Sequence, residues 1–156
     1  MYRFRRLPRN ASTSISSISA FKRFTADRLL SKNMDLDHIF SVIRNPYDRV
    51  VSMYHWFRKE QTFSEFVQSL IHRNNFNVQQ LWHTNEQFKY VSIDDKIAIT
   101  LFRFEDLSEG FELFGYKLPH LNKSKRTHYR DYYTCETRKI VECIYKNDFE
   151  YFNYKW

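Results

Sequence analysis

The chain has 156 residues, enough for one domain with a real core, and its 42% hydrophobic and 19% aromatic content directs that core toward Phe and Tyr. A charged fraction of 28% beside that apolar content excludes a disordered chain, and no apolar run reaches the length of a membrane span. Lys and Arg number 25 against 18 acidic residues, and the net charge of +7 favours an anionic partner: nucleic acid, a membrane surface or a phosphorylated small molecule.

Residues 2–6 alternate aromatic and basic, as a short strand does. A Ser/Thr-rich stretch from Ser12 then fits a helix start, with hydroxyls available to cap free N–H groups. Residues 25–37 are polar and read as a connecting loop with a helical turn. Residues 39–43 form a short apolar run of the kind buried in a parallel sheet, and Pro46 suits the first turn of a new helix carrying Val50, Val51, Tyr54 and Phe57. A second helix is expected from 63 to about 71, while 72–95 show no clear period. Residues 97–102 read as another buried strand ending at Arg103. "FEDLSEGFELFG" fits a short helix, "YKLPHLNKSKR" a loop, and 134–147 an amphipathic helix. Strands separated by helices predict an α/β fold with a small central parallel sheet flanked by helices, in a single domain over 1–156.

Cys135 and Cys143 fall about 12 Å apart along a helix axis. That is too far for a disulfide, and there is no C-x-x-C metal spacing. Unpaired thiols and an N-terminus lacking a signal peptide's apolar region lead us to expect a cytoplasmic protein.

Three stretches carry chemistry. "LPRNASTSIS" (7–16) has the form of a strand-to-helix loop that holds an anion, with Arg9 as fixed charge and Ser12, Thr13 and Ser14 as hydroxyl donors. It contains no glycine and is not a Walker loop. Taken alone, an ordinary helix cap with exposed serines explains it better. In "SVIRNPYDRVVSMY", Arg44 stands at the C-terminal end of a strand, where α/β ligand sites lie, and Ser52 falls two helical turns on. Arg44 and Ser52 can converge on one phosphate, or Arg44 can pair with Asp48. "LPHLNKSKR" offers Lys123, Ser124 and Arg126 as a basic loop that could close over a nucleotide or lie solvated.

Together these stretches resemble the carbohydrate sulfotransferases, including heparan-type O-sulfotransferases. "LPRNASTSI" resembles the family's 5′-phosphosulfate loop, P-K-x-x-x-T-S. "VIRNPYDRVVSMY" is similar to its 3′-phosphate motif, R-[ND]-P-x-x-R-x-x-S-x-Y, and "LFRFEDL" to its strand-end R-[FY]-E-[DN]-L. "LPHLNKS" and residues 129–154 resemble its C-terminal block. The elements occur in the family's order and cover most of the chain.

The resemblance implies a three-layer P-loop-like fold and the donor 3′-phosphoadenosine 5′-phosphosulfate. Its sulfuryl group would pass to an acceptor hydroxyl, expected on a sugar, with 3′,5′-ADP as product and no metal required. Arg9, Asn10, Ala11, Ser12, Thr13 and Ser14 would wrap the 5′-phosphosulfate. Arg44 and Ser52 would hold the 3′-phosphate, with Lys123, Ser124 and Arg126 as lid contacts. The family's loop lysine is Arg9 here, which supplies charge through a planar fork but has no proton to donate. Candidates for a general base are His83, in "WHTNEQ" (similar to the family's H-x-x-P-Q, with Glu86 for Pro), and His55. His38 lies at the far end of its strand, and Asp35 is a carboxylate alternative. The chain is short for the family, so its acceptor site is expected to be open or completed by a second subunit in a homodimer.

Competing expectations are a nucleic-acid-binding module, a nucleoside or sugar kinase, and an impaired relative that only binds nucleotide. Against the first, the basic residues are not interleaved with aromatics on one segment. Against the second, no Walker lysine-serine pair is present.

Overall fold

Aromatic-basic alternation does make Arg3–Arg5 a strand (β1), and the Ser/Thr-rich stretch a five-residue helix, Ser12–Ser16 (α1). The computed structural model describes residues 2–18, 21–24, 30, 33, 35–57, 60–73, 76–113, 115–117 and 126–156. Lys22–Phe24 (β2) and Ile39–Ile43 (β3) follow, then the helices Pro46–Phe57 (α2), Phe63–Ser69 (α3), Val78–Thr84 (α4) and Phe88–Val91 (α5). After a small hairpin, Ser92–Ile93 (β4) with Lys96–Ile97 (β5), come Thr100–Arg103 (β6) and Leu107–Leu113 (α6). A 3₁₀ turn at Tyr129–Tyr132 precedes Cys135–Ile144 (α7) and Lys146–Phe152 (α8). Among the described residues no helix is long and apolar enough to cross a membrane. The chain divides into two compact units, Met1–Arg44 with Gln87–Ser124, and Asn45–Glu86 with Lys125–Trp156.

The first unit is built on a four-stranded sheet in the order β2-β1-β3-β6, every pairing parallel. All five β3 residues are buried, as a central strand covered on both faces requires. Phe4, Ile15, Phe40, Val42, Leu107 and Phe111 form the core, and Phe40 meets the rings of Phe4, Phe21, Phe102 and Phe111 at centroid distances of 5.1–6.0 Å. The buried strand expected over 97–102 is corrected. Lys96 and Ile97 belong to the hairpin, turned by Asp94 and Asp95 with φ of 48° and 57°, as its tight turn demands. Thr100–Arg103 is the outer strand of the sheet, exposed at both ends because nothing pairs beyond it among the described residues.

In the second unit, Asn45 and Pro46 start α2. The Asn45 side-chain oxygen accepts the Tyr47 N–H at 3.0 Å, and Pro46 occupies the first turn, where its missing donor is not needed. The buried side of α2 packs Tyr47, Val50, Val51 and Met53 against Phe63, Phe66, Val67, Leu70, Val141 and Tyr145. Reciprocal capping boxes open α3 (Thr62 with Glu65), α4 (Asn77 with Gln80) and α7 (Thr134 with Thr137). The single helix expected over 134–147 is two. Tyr145 is wholly buried with its hydroxyl donating to the Thr84 carbonyl, and the Asn147 N–H donates to the Glu86 carboxylate, so tertiary bonds take over where the helical ladder breaks. Cys135 and Cys143 are free and exposed.

Burial, reinforced by its hydrogen bond to Glu142, pushes the Tyr47 phenol up to about 12, and burial does the same to Tyr145. Both groups keep their protons in the folded state through the range near 10 where the unfolded chain loses them. The stability they confer is therefore complete below pH 10 and is lost as the pH rises through about 12. Tyr47→Phe is expected to remove one late phenol from a spectroscopic tyrosinate titration and to make the alkaline unfolding limb shallower. A titration unchanged by the substitution would contradict the assignment.

Candidate functional site

Adjacent parallel strands β1 and β3 end on the same edge of the sheet, in register Arg5 with Ser41. From β1 the chain runs to β2 on one side, whereas β6 lies on the other side of β3. The carboxyl ends of β1 and β3 thus flank a topological switch point, the place where open α/β sheets hold ligands. The loop of residues 6–11 leaves from β1 at this edge, and Arg44 from β3.

The loop turns without glycine by placing Arg9 (φ 67°) and Ala11 (φ 54°) in the left-handed region. Between them Asn10 is completely buried, and its side-chain amide donates to the Val42 carbonyl of β3 and to Gln87 Oε1, each at 2.6 Å. These bonds fasten the loop to the central strand. Ala11 is the residue before α1, and no side chain caps that helix. The expected hydroxyl cap is thereby corrected. Ser12 and Ser14 are buried and Thr13 is exposed. Ser17 Oγ donates to the Ser14 carbonyl, and Ile15 drops fully into the core.

Arg44 is held at several points. Its main-chain N–H donates to Gln87 Oε1 and its carbonyl accepts from Gln87 Nε2, both at 2.9 Å. Its guanidinium Nη1 donates to the Arg9 carbonyl at 2.7 Å, and the guanidinium carbon lies 4.0 Å from the centroid of the Phe104 ring. The side chain is thus 7% exposed, stacked on an aromatic face and tied to the loop. The Arg9 main chain, the Asn10 side chain and Arg44 therefore come together in the first unit at one sheet edge, with the buried Arg44 guanidinium as the charge placed there.

The other candidates have different settings. Lys123 and Ser124 lie outside the described residues. Asp35, with a mostly exposed carboxylate, pairs with Arg3 at 2.8 Å, and His38 directly precedes β3 at its N-terminal end. In the second unit Ser52 is buried on α2, and Arg126 forms an ion pair with Asp48. An exposed His55 has Nε2 2.8 Å from the Tyr132 hydroxyl. His83, at the end of α4, is buried with its ring stacked on Trp56, centroids 4.1 Å apart. Among the described residues no group of three or more His, Cys, Asp or Glu could hold a metal ion.

Three further residues that matter here stand inside the stretches quoted above, Gln87 in "WHTNEQ", Phe104 in "LFRFEDL" and Arg49 in "VIRNPYDRVVSMY", but what each one binds is not legible there. Gln87 binds backbone groups 43 residues away in the chain, and Phe104 supports Arg44 from the turn after β6. Arg49, buried on α2, donates to the carbonyls of His83 at 2.8 Å and Asn85 at 2.9 Å. For Gln87 the available signal was its place as the last residue of "WHTNEQ", the stretch singled out for His83. Searched against protein-family models, curated proteins and solved structures, the chain matches none of them.

Proposed function

We propose that this protein is a sulfotransferase with a three-layer P-loop-like fold, which moves the sulfuryl group of 3′-phosphoadenosine 5′-phosphosulfate to an acceptor hydroxyl, on a sugar. The observation that carries the reading is the union of loop residues 9 and 10 with Arg44 at the carboxyl ends of β1 and β3. These are the stretches whose sequences resemble the family's 5′-phosphosulfate and 3′-phosphate motifs. The left-handed backbone at Arg9 and Ala11 adds support, because strained loop conformations cluster at ligand sites. A net charge of +7 suits a donor bearing several negative charges.

In this reading the acceptor oxygen attacks sulfur in line, and the bond from sulfur to the 5′-phosphate oxygen breaks. The acceptor proton passes to a base, and 3′,5′-ADP leaves. Residues 9–14 wrap the phosphosulfate, and Arg9 offsets charge developing on the leaving phosphate. Arg44 takes the 3′-phosphate. Ser52, Lys123, Ser124 and Arg126 enter as further donor contacts on the resemblance alone, as does His83, ahead of His55, as the base.

Calorimetry with 3′,5′-ADP tests the proposal. Saturable binding is expected, weaker for 5′-AMP, which lacks the 3′-phosphate, and sulfate transfer from labelled donor to a sugar panel separates an active enzyme from a nucleotide-binding relative. Absence of saturable 3′,5′-ADP binding would sink the reading. Oligonucleotide binding with a steep salt dependence and no preference for a 3′-phosphate would replace it with the nucleic-acid module.

A further inference from the structure

We infer that Gln87 is the positioning residue of this site, coupling the loop at the end of β1 to Arg44 at the end of β3. The inference rests on the sulfotransferase reading for the identity of the ligand, but its geometry belongs to the first unit itself. One side-chain amide, completely buried, meets both main-chain groups of Arg44, as a neighbouring strand would. The same Oε1 also accepts the Asn10 amide. Just before this point the Ile43 carbonyl accepts the Phe104 N–H at 2.8 Å, so the strand's outer partner ends and Gln87 continues the pairing.

The arrangement has a chemical consequence. Arg44 donates through Nη1 to the Arg9 carbonyl, and Asn10 donates to Val42 within β3. Gln87 completes this closed set of hydrogen bonds. A loop held by Asn10 and a guanidinium held by the Arg44 main chain then keep a fixed spacing, which is what recognition of two phosphates on one nucleotide requires. Gln87 itself contacts no ligand in this account. It acts by fixing where Arg44 stands.

The test compares wild type, Gln87→Glu, Gln87→Met and Arg44→Ala for binding of 3′,5′-ADP and 5′-AMP. The ratio of the two dissociation constants isolates the 3′-phosphate contact, which general loss of stability does not move. Gln87→Glu keeps the acceptors and removes the donor to the Arg44 carbonyl, whereas Gln87→Met removes all three bonds at similar volume. Both are expected to cut the ratio by about tenfold, with no further loss when combined with Arg44→Ala, as coupled residues behave. A wild-type ratio in either variant, or additive losses, would overturn the inference. If wild type binds neither nucleotide, the functional reading falls, and Gln87 is judged on amide hydrogen exchange. Faster exchange at Arg44 in Gln87→Met, which removes the acceptor of its N–H, with Val42 unchanged, would support the coupling, and unchanged exchange at Arg44 would end it.

Discussion

Arg44→Ala is expected to weaken 3′,5′-ADP binding by about 100-fold while leaving the protein folded. Hydrogen bonds to charged groups contribute roughly 1.5–3 kcal/mol each, and a guanidinium meets a phosphate with two of them. A loss of about 2.7 kcal/mol corresponds to that hundredfold. The fold should tolerate the change because Gln87 grips the main chain of Arg44, which alanine retains. What alanine gives up in the protein is the bond to the Arg9 carbonyl and the stack on Phe104. Arg44→Lys keeps the charge and loses the planar fork, so an intermediate loss of about tenfold is expected. Calorimetric titration of the two variants, alongside their denaturation midpoints, measures both halves of the claim. Wild-type affinity in the alanine variant would remove Arg44 from the phosphate.

The second large effect falls on the other arginine of the same motif, and it is on stability. Arg49 is 1% exposed, donates to the His83 and Asn85 carbonyls through its two terminal nitrogens, and lies beside the Tyr145 ring. Methionine in its place would leave both carbonyls without these donors in a buried setting, for an expected destabilisation of about 2–4 kcal/mol. Lysine would recover only part of this, because one ammonium cannot reproduce a fork spanning two carbonyls. Chemical denaturation of both variants is the measurement, and a midpoint like that of wild type would show that the clamp contributes nothing. Two arginines five positions apart thus take opposite parts: Arg44 presents charge at a sheet edge, and Arg49 closes the end of a helix.

That contrast also marks what the sequence could tell. The strands at β1 and β3, the start of α2 and the parallel order of the sheet are written locally, in alternation, an apolar run and an Asn-Pro pair. The loop with Arg44 was readable for the same reason, since each piece sits in one continuous stretch. Residues 72–95 were opaque because α4 buries polar His83 and Thr84 rather than its apolar residues Val78, Leu81 and Trp82. Val78 is 85% exposed, and the end of that helix is secured by Arg49 and Tyr145, which reach it from distant parts of the chain. The one local sign, Asn77 three residues before Gln80, is a capping box that the polar surroundings disguise. The break at Tyr145 escaped a reading by periodicity because the apolar pattern continues across it while the hydrogen bonds do not. Gln87 was invisible as a partner of Arg44 because glutamine has no characteristic spacing and its bonds are to main-chain atoms.

Arg9 and Ala11 place the cost of the loop at a particular stage. An L-residue in the left-handed region carries roughly 1–2 kcal/mol of strain that glycine would avoid. Glycine would instead leave a looser chain, with about 0.4–1 kcal/mol more conformational entropy to lose. With the buried Asn10 pinned between them, the two residues commit the loop to its shape when the protein folds. On the proposed reading, an arriving anion then has little backbone to organise, and the entropy of ordering the loop drops out of the binding equilibrium. If the loop serves the proposed donor, the missing glycines exchange adaptability for selectivity: such a site would accept the anion whose dimensions it already has and would not remodel itself around another.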